Sequence, residues 1–336
     1  MAAVFPVVSS GAFDTTPSYS GGFIPQLWSN KLNAKFYANT MLAEISNTDW
    51  EGEIKNQGDT IRIRTAPSIT INDYAGAGTT LTSEVPAPVY TDMQINKGKY
   101  FSVQVNDVLA HQADMDLMNM FTDDAAKQLK IAIENETFFQ WFVTEGANAA
   151  NKGATAGALS TEYNLGTDAL PIDQATPANV LKTILRMSAA LDEQNVPEDG
   201  RWLIISPYDR QVLMQTDIAQ AYFTGDSAST IRTGKIGMLD RFEVYVSNLL
   251  PKGTTAKALV PGLSAVASGA TATGAKPRRM MVAGTKAACA FASQISKTEP
   301  LRNQNDFGDI VRGLAVYGRK VVKSEALVTA LVGDPS

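Results

Sequence analysis

The sequence predicts an α+β fold built around one very long helix, and three observations lead to this prediction. Nearly forty consecutive residues, 107–145, contain neither Pro nor Gly and repeat apolar side chains at close to the helical period. The preceding stretch, 58–105, alternates at a period of two, which is typical of strands. The middle third then alternates helix-like and strand-like segments, as in an α/β unit. With 336 residues, 44% of them apolar, the chain is long enough to bury a core.

The first residues predict an extension followed by a short helix. Residues 1–24 carry a single charged side chain, Asp14, and several Pro and Gly residues, so they cannot bury a core of their own. We therefore expect an arm that is either disordered or ordered against a partner. Residues 25–45 follow with an amphipathic pattern that predicts a short helix.

The stretch with a period of two predicts a long two-stranded ribbon. Residues 59–65 supply the first strand and 90–105 the second, and the tip between them, 72–88, is rich in turn-forming residues. A two-stranded ribbon is only marginally stable alone in water. We therefore expect its faces to be covered by something else, and its tip to act between subunits.

The stretch without Pro and Gly predicts a spine helix. Asn106 is a candidate N-cap and Gly146 a stop signal. At ~1.5 Å per residue such a helix would be about 60 Å long. A compact globule of this size would have a diameter of roughly 50 Å. The chain is therefore expected to be elongated or plate-like.

The middle third predicts an α/β unit. Thr176 and the proline after it would start a helix that ends before Pro197. Residues 202–205 read as a buried strand, and Ser206 opens a second helix with a pattern similar to a capping box. Residues 242–246 alternate as a strand with two unlike faces.

The last third predicts an insertion followed by strands. Residues 252–276 are rich in Ala, Gly, Ser and Thr without a clear period, which indicates a surface loop or a small β-excursion. Strand-like sequence returns at 280–283 and at 309–322.

Charge is distributed unevenly although the net charge is only −5. Residues 107–200 carry 15 acidic and 5 basic side chains, whereas residues 276–336 carry 10 basic and 5 acidic ones. The basic residues are spread through strand-like sequence and are not clustered with aromatic residues. Pairing with the acidic block, in the same chain or in a neighbour, therefore explains them better than nucleic-acid binding does.

The composition restricts chemistry, and we expect no enzyme activity, no metal and no cofactor. His111 and Cys289 are the only residues of their types, whereas a structural zinc site needs four ligands. No nucleophile elbow lies near His111. The glycines at Gly76 and Gly78 lack the third Gly of a dinucleotide fingerprint. The acidic residues in 114–124 lack the spacing of an EF-hand loop.

Apolar runs are short throughout the chain. None of them approaches the ~18 residues that a membrane span needs, and the first thirty residues contain no long apolar block. We therefore expect a soluble protein without a secretory signal and without a membrane partner.

Four segments, taken in order, resemble a known family. They are VNDVLAHQADMDLMNMFTDDAAKQLKIAIENETFFQWF at 105–142, GRWLIISPYDRQVLM at 200–214, IGMLDRFEVYVSNLLP at 236–251 and FGDIVRGLAVYGRKVVKSEAL at 307–327. Together with the ribbon before them, they resemble the major capsid proteins of tailed bacteriophages, which have the Hong Kong 97 type of fold. The resemblance covers essentially the whole chain after the arm.

The resemblance implies a division of the chain into named parts. They are an N-terminal arm at 1–24, an N-terminal helix region at 25–52, an extended E-loop ribbon at 53–104, a peripheral domain with the spine helix at 105–172, an α/β axial domain at 173–285 with a small insertion loop at 252–276, and return strands of the peripheral domain at 286–336. In that arrangement the basic late strands lie beside the acidic spine helix.

The function that the resemblance implies is structural. Copies of the chain would assemble into hexamers and pentamers of an icosahedral shell that encloses double-stranded DNA without binding it sequence-specifically. A separate scaffolding protein, a portal and decoration proteins are the other implied partners. The place would be the virion capsid, after synthesis and assembly in the host cytoplasm. We expect subunit contacts at the ribbon tip, at Asp73, Tyr74, Leu81, Glu84 and Val85.

Three other functions are weighed against this one. A non-viral encapsulating shell shares the fold and would hold a cargo enzyme, but the long uncharged arm argues against it. An α/β enzyme would need a polar site that the sequence does not display. A surface adhesin would fit the Ala-, Gly- and Thr-rich tracts, but it lacks a signal segment.

Some shells of this family cross-link Lys to Asn between subunits. Lys97 or Lys99 with Asn303 or Asn305 would be the candidates in this chain, but none of these positions matches a motif. The sequence therefore predicts a shell without covalent cross-links.

Overall fold

The structure is a computed structural model, and it describes residues 37–50, 60–74, 76, 83–107, 117–215, 237–254, 257–264, 266, 277–304 and 306–333. The predicted arm at 1–24, the segment 25–36 of the predicted N-terminal helix, and His111 lie outside the described residues. Helices and sheets are mixed along the rest, which confirms the predicted α+β class.

Helices and strands follow one another along the chain in a mixed order. They are α1 (Leu42–Ile45), β1 (Thr60–Thr65), β2 (Val89–Gln94), β3 (Lys97–Asn106), α2 (Leu117–Phe139), β4 (Ile172–Asp173), α3 (Pro177–Glu193), β5 (Arg201–Ile205), α4 (Pro207–Leu213), β6 (Met238–Leu239), β7 (Phe242–Val246), β8 (Lys252–Thr254), β9 (Lys257–Val260), β10 (Pro277–Thr285), β11 (Cys289–Arg302), β12 (Gly308–Val321) and β13 (Leu327–Gly333). Short π and 3-10 turns occupy Gln140–Glu145, Ala149–Asn151 and Ser324–Ala326.

An antiparallel sheet of order β11-β12-β3 supports the spine helix. The central strand, β12, pairs with both neighbours, so that Gly308 lies opposite Asn106 and Val321 lies opposite Cys289. Helix α2 contacts β3 and β12. The late strand β12 therefore returns to the spine helix, and β11 pairs with it in the same sheet.

A second, larger sheet has the strand order β4-β13-β10-β5-β7-β6. Strand β8 also pairs with β10, and β9 pairs with β8. Strand β5 runs parallel to β7 and antiparallel to β10. All five residues of β5 are buried, as expected for a central strand that is covered on both faces. The insertion after residue 252 therefore contributes a small β-hairpin to this sheet, in agreement with the predicted β-excursion.

The main core joins the larger sheet to α3 and to the end of the spine helix. Val180, Ile184 and Met187 on one face of α3 are fully buried, at the 3–4 residue spacing of an amphipathic helix. The rings of Phe142 and Trp202 lie 6.4 Å apart, centroid to centroid, and link the end of the spine to β5. Each such side chain contributes about 1.5–3 kcal/mol when buried.

Two of the predicted helix end signals are confirmed. The spine ends at Gly146, whose φ of 70° favours glycine. The predicted cap at Asn106 stays a prediction, because residues 108–116 lie outside the described part of the chain. At α4, the Ser206 hydroxyl accepts a hydrogen bond from the Asp209 N–H and donates one to the Asp209 carboxylate. These caps satisfy amide groups that a helix leaves unpaired.

The predicted second ribbon strand, 90–105, is wrong as a single strand. The chain breaks its pairing at Ile95 and Asn96, between β2 and β3. Strand β2 pairs with β1, whereas β3 pairs with β12. The ribbon therefore ends at Gln94, because β3 pairs with β12 in the sheet under α2 and not with the ribbon.

Two other predictions need correction. The return strands at 286–336 do not all lie beside the spine helix, because β13 pairs with β10 and β4 inside the larger sheet. The predicted helix at 25–45 is not continuous, because residues 37–41 have no helical turn and only Leu42–Ile45 is helical in the described part. Long-range hydrogen bonds from the backbone of residues 41 and 42 to Glu134 of α2 hold this segment in that form.

No helix in the described residues is both long and apolar enough to cross a membrane.

Candidate functional site

The ribbon formed by β1 and β2 is fixed to the body at its base. The two strands pair in antiparallel register from Thr60 opposite Gln94 to Thr65 opposite Val89. Ile61, Ile63 and Met93 are buried against two alanines of β11, Ala290 and Ala292. This small cluster covers one face of the ribbon. Something else was expected to cover the ribbon, and at its base the same chain does so.

The other face of the ribbon is polar and held by an ion pair. Arg62 and Asp92 lie opposite each other in the register, and Arg62 Nε is 2.9 Å from Asp92 Oδ1. A hydrogen bond from Arg62 lowers the pKa of the Asp92 carboxyl. The Arg62 guanidinium also lies 4.2 Å from the centroid of the Tyr90 ring. Exposed pairs of this kind contribute about 0–1 kcal/mol each, so they orient the ribbon more than they stabilise it.

The segment between β1 and β2, residues 66–88, is longer than the predicted tip 72–88, and we call all of it the ribbon tip from here on. Its described part, residues 66–74, 76 and 83–88, has no strand pairing. Its apolar side chains are largely in solvent: Ile71 and Val85 are each 89% exposed, Tyr74 is 70% exposed and Ile69 is 65% exposed. One hydrogen bond, from the Thr70 N–H to the Glu84 carboxylate at 3.0 Å, links the two sides of the tip. Such a group of exposed apolar side chains on a projecting segment is typical of a surface that a partner covers.

The five predicted contact residues fall on this tip. Asp73, Tyr74 and Val85 are exposed. Glu84 is also exposed but already accepts the hydrogen bond from Thr70. Leu81 lies outside the described residues. That they contact another subunit stays a prediction.

The sequence prediction missed two residues with the same exposure. Ile69 and Ile71 alternate with polar residues between Pro67 and Asn72. This alternation could have predicted their exposure. It continues the apolar and polar pattern of β1 into a segment whose apolar side chains have no partner strand to pack against.

A cluster of charges joins the spine helix to the sheet below it. Glu136 on α2 lies 2.7 Å from Lys99 Nζ on β3 and 2.8 Å from an Arg319 nitrogen on β12. Burial acts to raise the pKa of Glu136, but the hydrogen bonds from Lys99 and Arg319 outweigh it and lower the pKa to about 2. Lys320 also lies 3.6 Å from Glu145 at the end of the spine. The predicted pairing of late basic residues with the acidic block is therefore confirmed at these residues, within one chain.

The candidate cross-linking residues are only partly described. The Lys99 ammonium is engaged by Glu136, and Lys97 is exposed at the start of β3. Asn303 lies in the β11–β12 turn, where its N–H donates to the Gly308 carbonyl. Asn305 lies outside the described residues. The absence of covalent cross-links stays a prediction, which denaturing electrophoresis of boiled particles would check.

Comparison with solved structures places the fold among phage capsids. The structure of Mycobacterium phage Che8 matches with a TM-score of 0.70 and 23% sequence identity, covering 93% of this chain and 98% of that chain. The capsid of cyanophage P-SCSP1u matches with a TM-score of 0.66 and 14% identity, covering 97% of this chain and 100% of that one. The mature capsid of bacteriophage PhiM1 matches with a TM-score of 0.64 and 14% identity, covering 91% and 90%. These likenesses confirm the tailed-phage capsid type of fold.

Comparison with curated proteins found no match. A family model described as phage capsid protein matches residues 89–330, which is well over half of the chain. The match includes β2, the spine helix and both sheets. The alternative of a non-viral cargo shell finds no support in these comparisons. The chain belongs to the phage capsid protein family, and its function is that of a major capsid protein that forms the shell.

Proposed function

We propose that copies of this chain assemble into hexamers and pentamers of an icosahedral shell, and that the ribbon tip of each copy binds a neighbouring subunit. The exposed apolar tip is the observation that supports this proposal most directly. Burying a fully exposed Ile or Val side chain contributes about 1.5–3 kcal/mol before ordering costs. Ile71 and Val85, each 89% exposed, would gain most of that amount on contact with a neighbour.

The shell would enclose double-stranded DNA by containment. A protein with a net charge of −5 does not gain the counterion release that drives proteins to bind the DNA backbone. The late basic residues Arg319 and Lys320 are also engaged by Glu136 and Glu145 within the chain. A closed shell needs no DNA-binding site, so the proposed role is structural and not catalytic.

The remaining parts of the proposal concern partners and place. Assembly would proceed in the host cytoplasm with a separate scaffolding protein and a portal, and decoration proteins would bind the finished virion capsid. These partners rest on the family resemblance.

The tip is tested by removing its apolar side chains without touching the ribbon base. The double variant Ile71→Ser/Val85→Ser should leave the subunit folded, because both side chains are in solvent in the single chain. It should reduce the yield of shells at least tenfold, since about 1.4 kcal/mol per contact already corresponds to that factor. Sedimentation and electron microscopy of the expressed protein measure the yield.

The matched control keeps the apolar area. Ile71→Leu/Val85→Ile changes the same positions and should assemble normally. Normal shells from the serine variant would show that the tip is not a subunit contact, whereas failure of both variants would point to local shape and not to apolar burial.

A further inference from the structure

The chain that leads into the described structure is held along the spine helix at two points. We call residues 37–45 the N-terminal strap. The Tyr37 hydroxyl donates a hydrogen bond to Asp124 at 2.7 Å. Further on, the backbone N–H groups of Met41 and Leu42 donate to Glu134. From Asp124 to Glu134 the helix rises about 15 Å over ten residues. From Tyr37 to Met41 the strap has four residues, which span at most about 14 Å when fully extended. The strap therefore lies stretched along α2.

Glu134 is an unusual group to hold a strap, because it is a buried carboxyl without a cation. It is 1% exposed, and it forms no ion pair within the described part of the chain. Oxygen Oε2 accepts from both Met41 N–H (2.8 Å) and Leu42 N–H (3.1 Å). Oxygen Oε1 receives only a second, longer branch from Met41 at 3.1 Å. These hydrogen bonds by themselves favour the ionised carboxylate, whereas burial without a cation favours the neutral acid, and burial is the larger of the two effects.

The charged groups around Glu134 give its ionised form little help. Glu44 of α1 faces it with the same charge, and Tyr245 of β7 lies beside Glu44. Lys130 of α2 and Lys297 of β11 line the same groove, but neither is within ion-pair distance of Glu134. A lone carboxylate in such a place costs several kcal/mol of hydration unless it takes up a proton.

The contrast with Glu136 shows what a partner cation changes. Both glutamates belong to α2 and lie two residues apart. Burial raises the pKa of Glu134 to about 7, and Glu44 adds to this, although the two backbone hydrogen bonds oppose it. Glu136 is also partly buried, yet its hydrogen bonds with Lys99 and Arg319 bring its pKa down to about 2.

We propose that Glu134 is a pH-responsive latch for the N-terminal strap, closed by the neutral acid and loosened when the carboxyl ionises. The strap itself covers the carboxyl and excludes water from it. Detachment of the strap would rehydrate the carboxylate, so the ionised form favours the detached state. The latch controls whether the strap, residues 37–45, stays docked on the spine helix, which goes beyond the proposed shell function.

The sign of the pH dependence follows from linkage. The pKa of Glu134 is higher in the docked state than the ordinary value of 4.5. The docked state therefore binds more protons between pH 4.5 and about pH 7, and docking weakens as pH rises through that window. Above about pH 7 the weakening continues only until the docked carboxyl is fully ionised.

Hydrogen exchange on assembled shells of the full chain tests the latch. The measured quantity is the protection factor of a peptide covering residues 37–45, corrected for the intrinsic pH dependence of exchange. For the wild-type protein it should fall at least tenfold between pH 5 and pH 8. Glu134→Gln, which imitates the neutral acid, should keep the protection of pH 5 at both values.

The control is Glu162→Gln, which removes an exposed carboxylate outside both the strap and the spine helix. Its peptide should show the same fall as the wild type. Wild-type protection that does not change with pH would overturn the proposal, and so would an undiminished fall in Glu134→Gln. If Glu134→Gln yields no particles, the wild-type profile together with that of Glu162→Gln still decides the outcome.

Discussion

At the scale of single residues, Glu136 shows how the spine helix is attached to the sheet. Its carboxylate accepts from Lys99, from Arg319 and from the Tyr317 hydroxyl. The Arg319 side chain is only 6% exposed. Water therefore cannot readily take the place of Glu136 beside the Arg319 charge. Removal of one member of a buried pair leaves the other charge uncompensated, which is the expensive outcome.

We predict that Glu136→Gln lowers the free energy of unfolding by about 2 kcal/mol at pH 7. This is less than the loss expected for a fully buried ion pair, because Glu136 is partly exposed. The pKa of Glu136 is lowered to about 2, so its stabilisation is present above pH 4.5 and is lost as pH falls towards 2. Denaturant titrations at pH 7 and pH 3 should therefore show a smaller difference between wild type and variant at pH 3. Glu162→Gln, at an exposed position, is the control and should change little.

Gly166 illustrates a different constraint, in which the backbone allows no side chain. Its φ is 83°, and a Cβ atom there would lie 2.2 Å from the Leu331 carbonyl oxygen of β13. Gly153 has a similar φ of 87° but open space around it. A substitution at Gly153 therefore measures backbone strain alone, whereas one at Gly166 adds steric overlap.

We predict that Gly153→Ala costs about 1 kcal/mol, from the left-handed backbone alone. Gly166→Ala should cost clearly more, because β13 would have to move away from the loop that precedes β4. Thermal unfolding of both variants measures the difference. Equal losses in the two variants would show that the loop at Gly166 yields without disturbing β13.

At the scale of elements, the spine helix is the part on which both sheets and the strap depend. It carries Glu134 and Glu136, its middle covers β3 and β12, and its end packs on β5 through Phe142 and Trp202. A break inside it would therefore disturb several contacts at once.

We predict that Leu129→Pro abolishes soluble assembly. Proline inside a helix removes a hydrogen bond and clashes with the preceding turn, at ~3 kcal/mol or more. Leu129→Ala removes the side chain without breaking the helix and should still give shells of reduced stability. Particle yield by sedimentation separates the two, and shells from Leu129→Pro at wild-type yield would contradict the central place given to this helix.

Local patterns in the sequence were enough to predict features that are decided locally. Gly146 ends the spine, Ser206 caps α4, and Ile61 and Ile63 alternate with exposed arginines in β1. Pairings between distant residues could not be predicted in this way. Strand β13 joins the larger sheet because it pairs with β10, and β2 and β3 are separate strands because they pair with different partners. Local patterns do not show which distant strand is the partner.

The Glu134 latch had no signal in the sequence for the same reason. Its hydrogen-bond partners precede it by more than ninety residues, and a glutamate in a helix ordinarily predicts a solvated face. Four of the predicted tip residues are exposed, as the lack of a partner strand leads one to expect, but their contact with a neighbour stays a prediction. Which side chains of the tip touch a neighbour depends on the neighbour's surface, which one sequence does not contain.

At the scale of the whole molecule, a single chain leaves part of its apolar surface unsatisfied. The small cluster under the ribbon base covers Ile61 and Ile63, whereas the tip beyond them carries Ile69, Ile71 and Val85 in solvent. A shell of many copies can cover each tip with the next subunit. The acidic net charge is compatible with that role, since the DNA needs only to be enclosed.

The most direct test is cryo-electron microscopy of purified particles at a resolution that shows side chains. We expect a closed icosahedral shell of hexamers and pentamers in which residues 66–88 of each copy lie against a neighbouring subunit, with Ile71 and Val85 buried in that contact. Tips that fold back onto their own chain, or that remain in solvent in a complete shell, would contradict the proposal that the ribbon joins one subunit to the next.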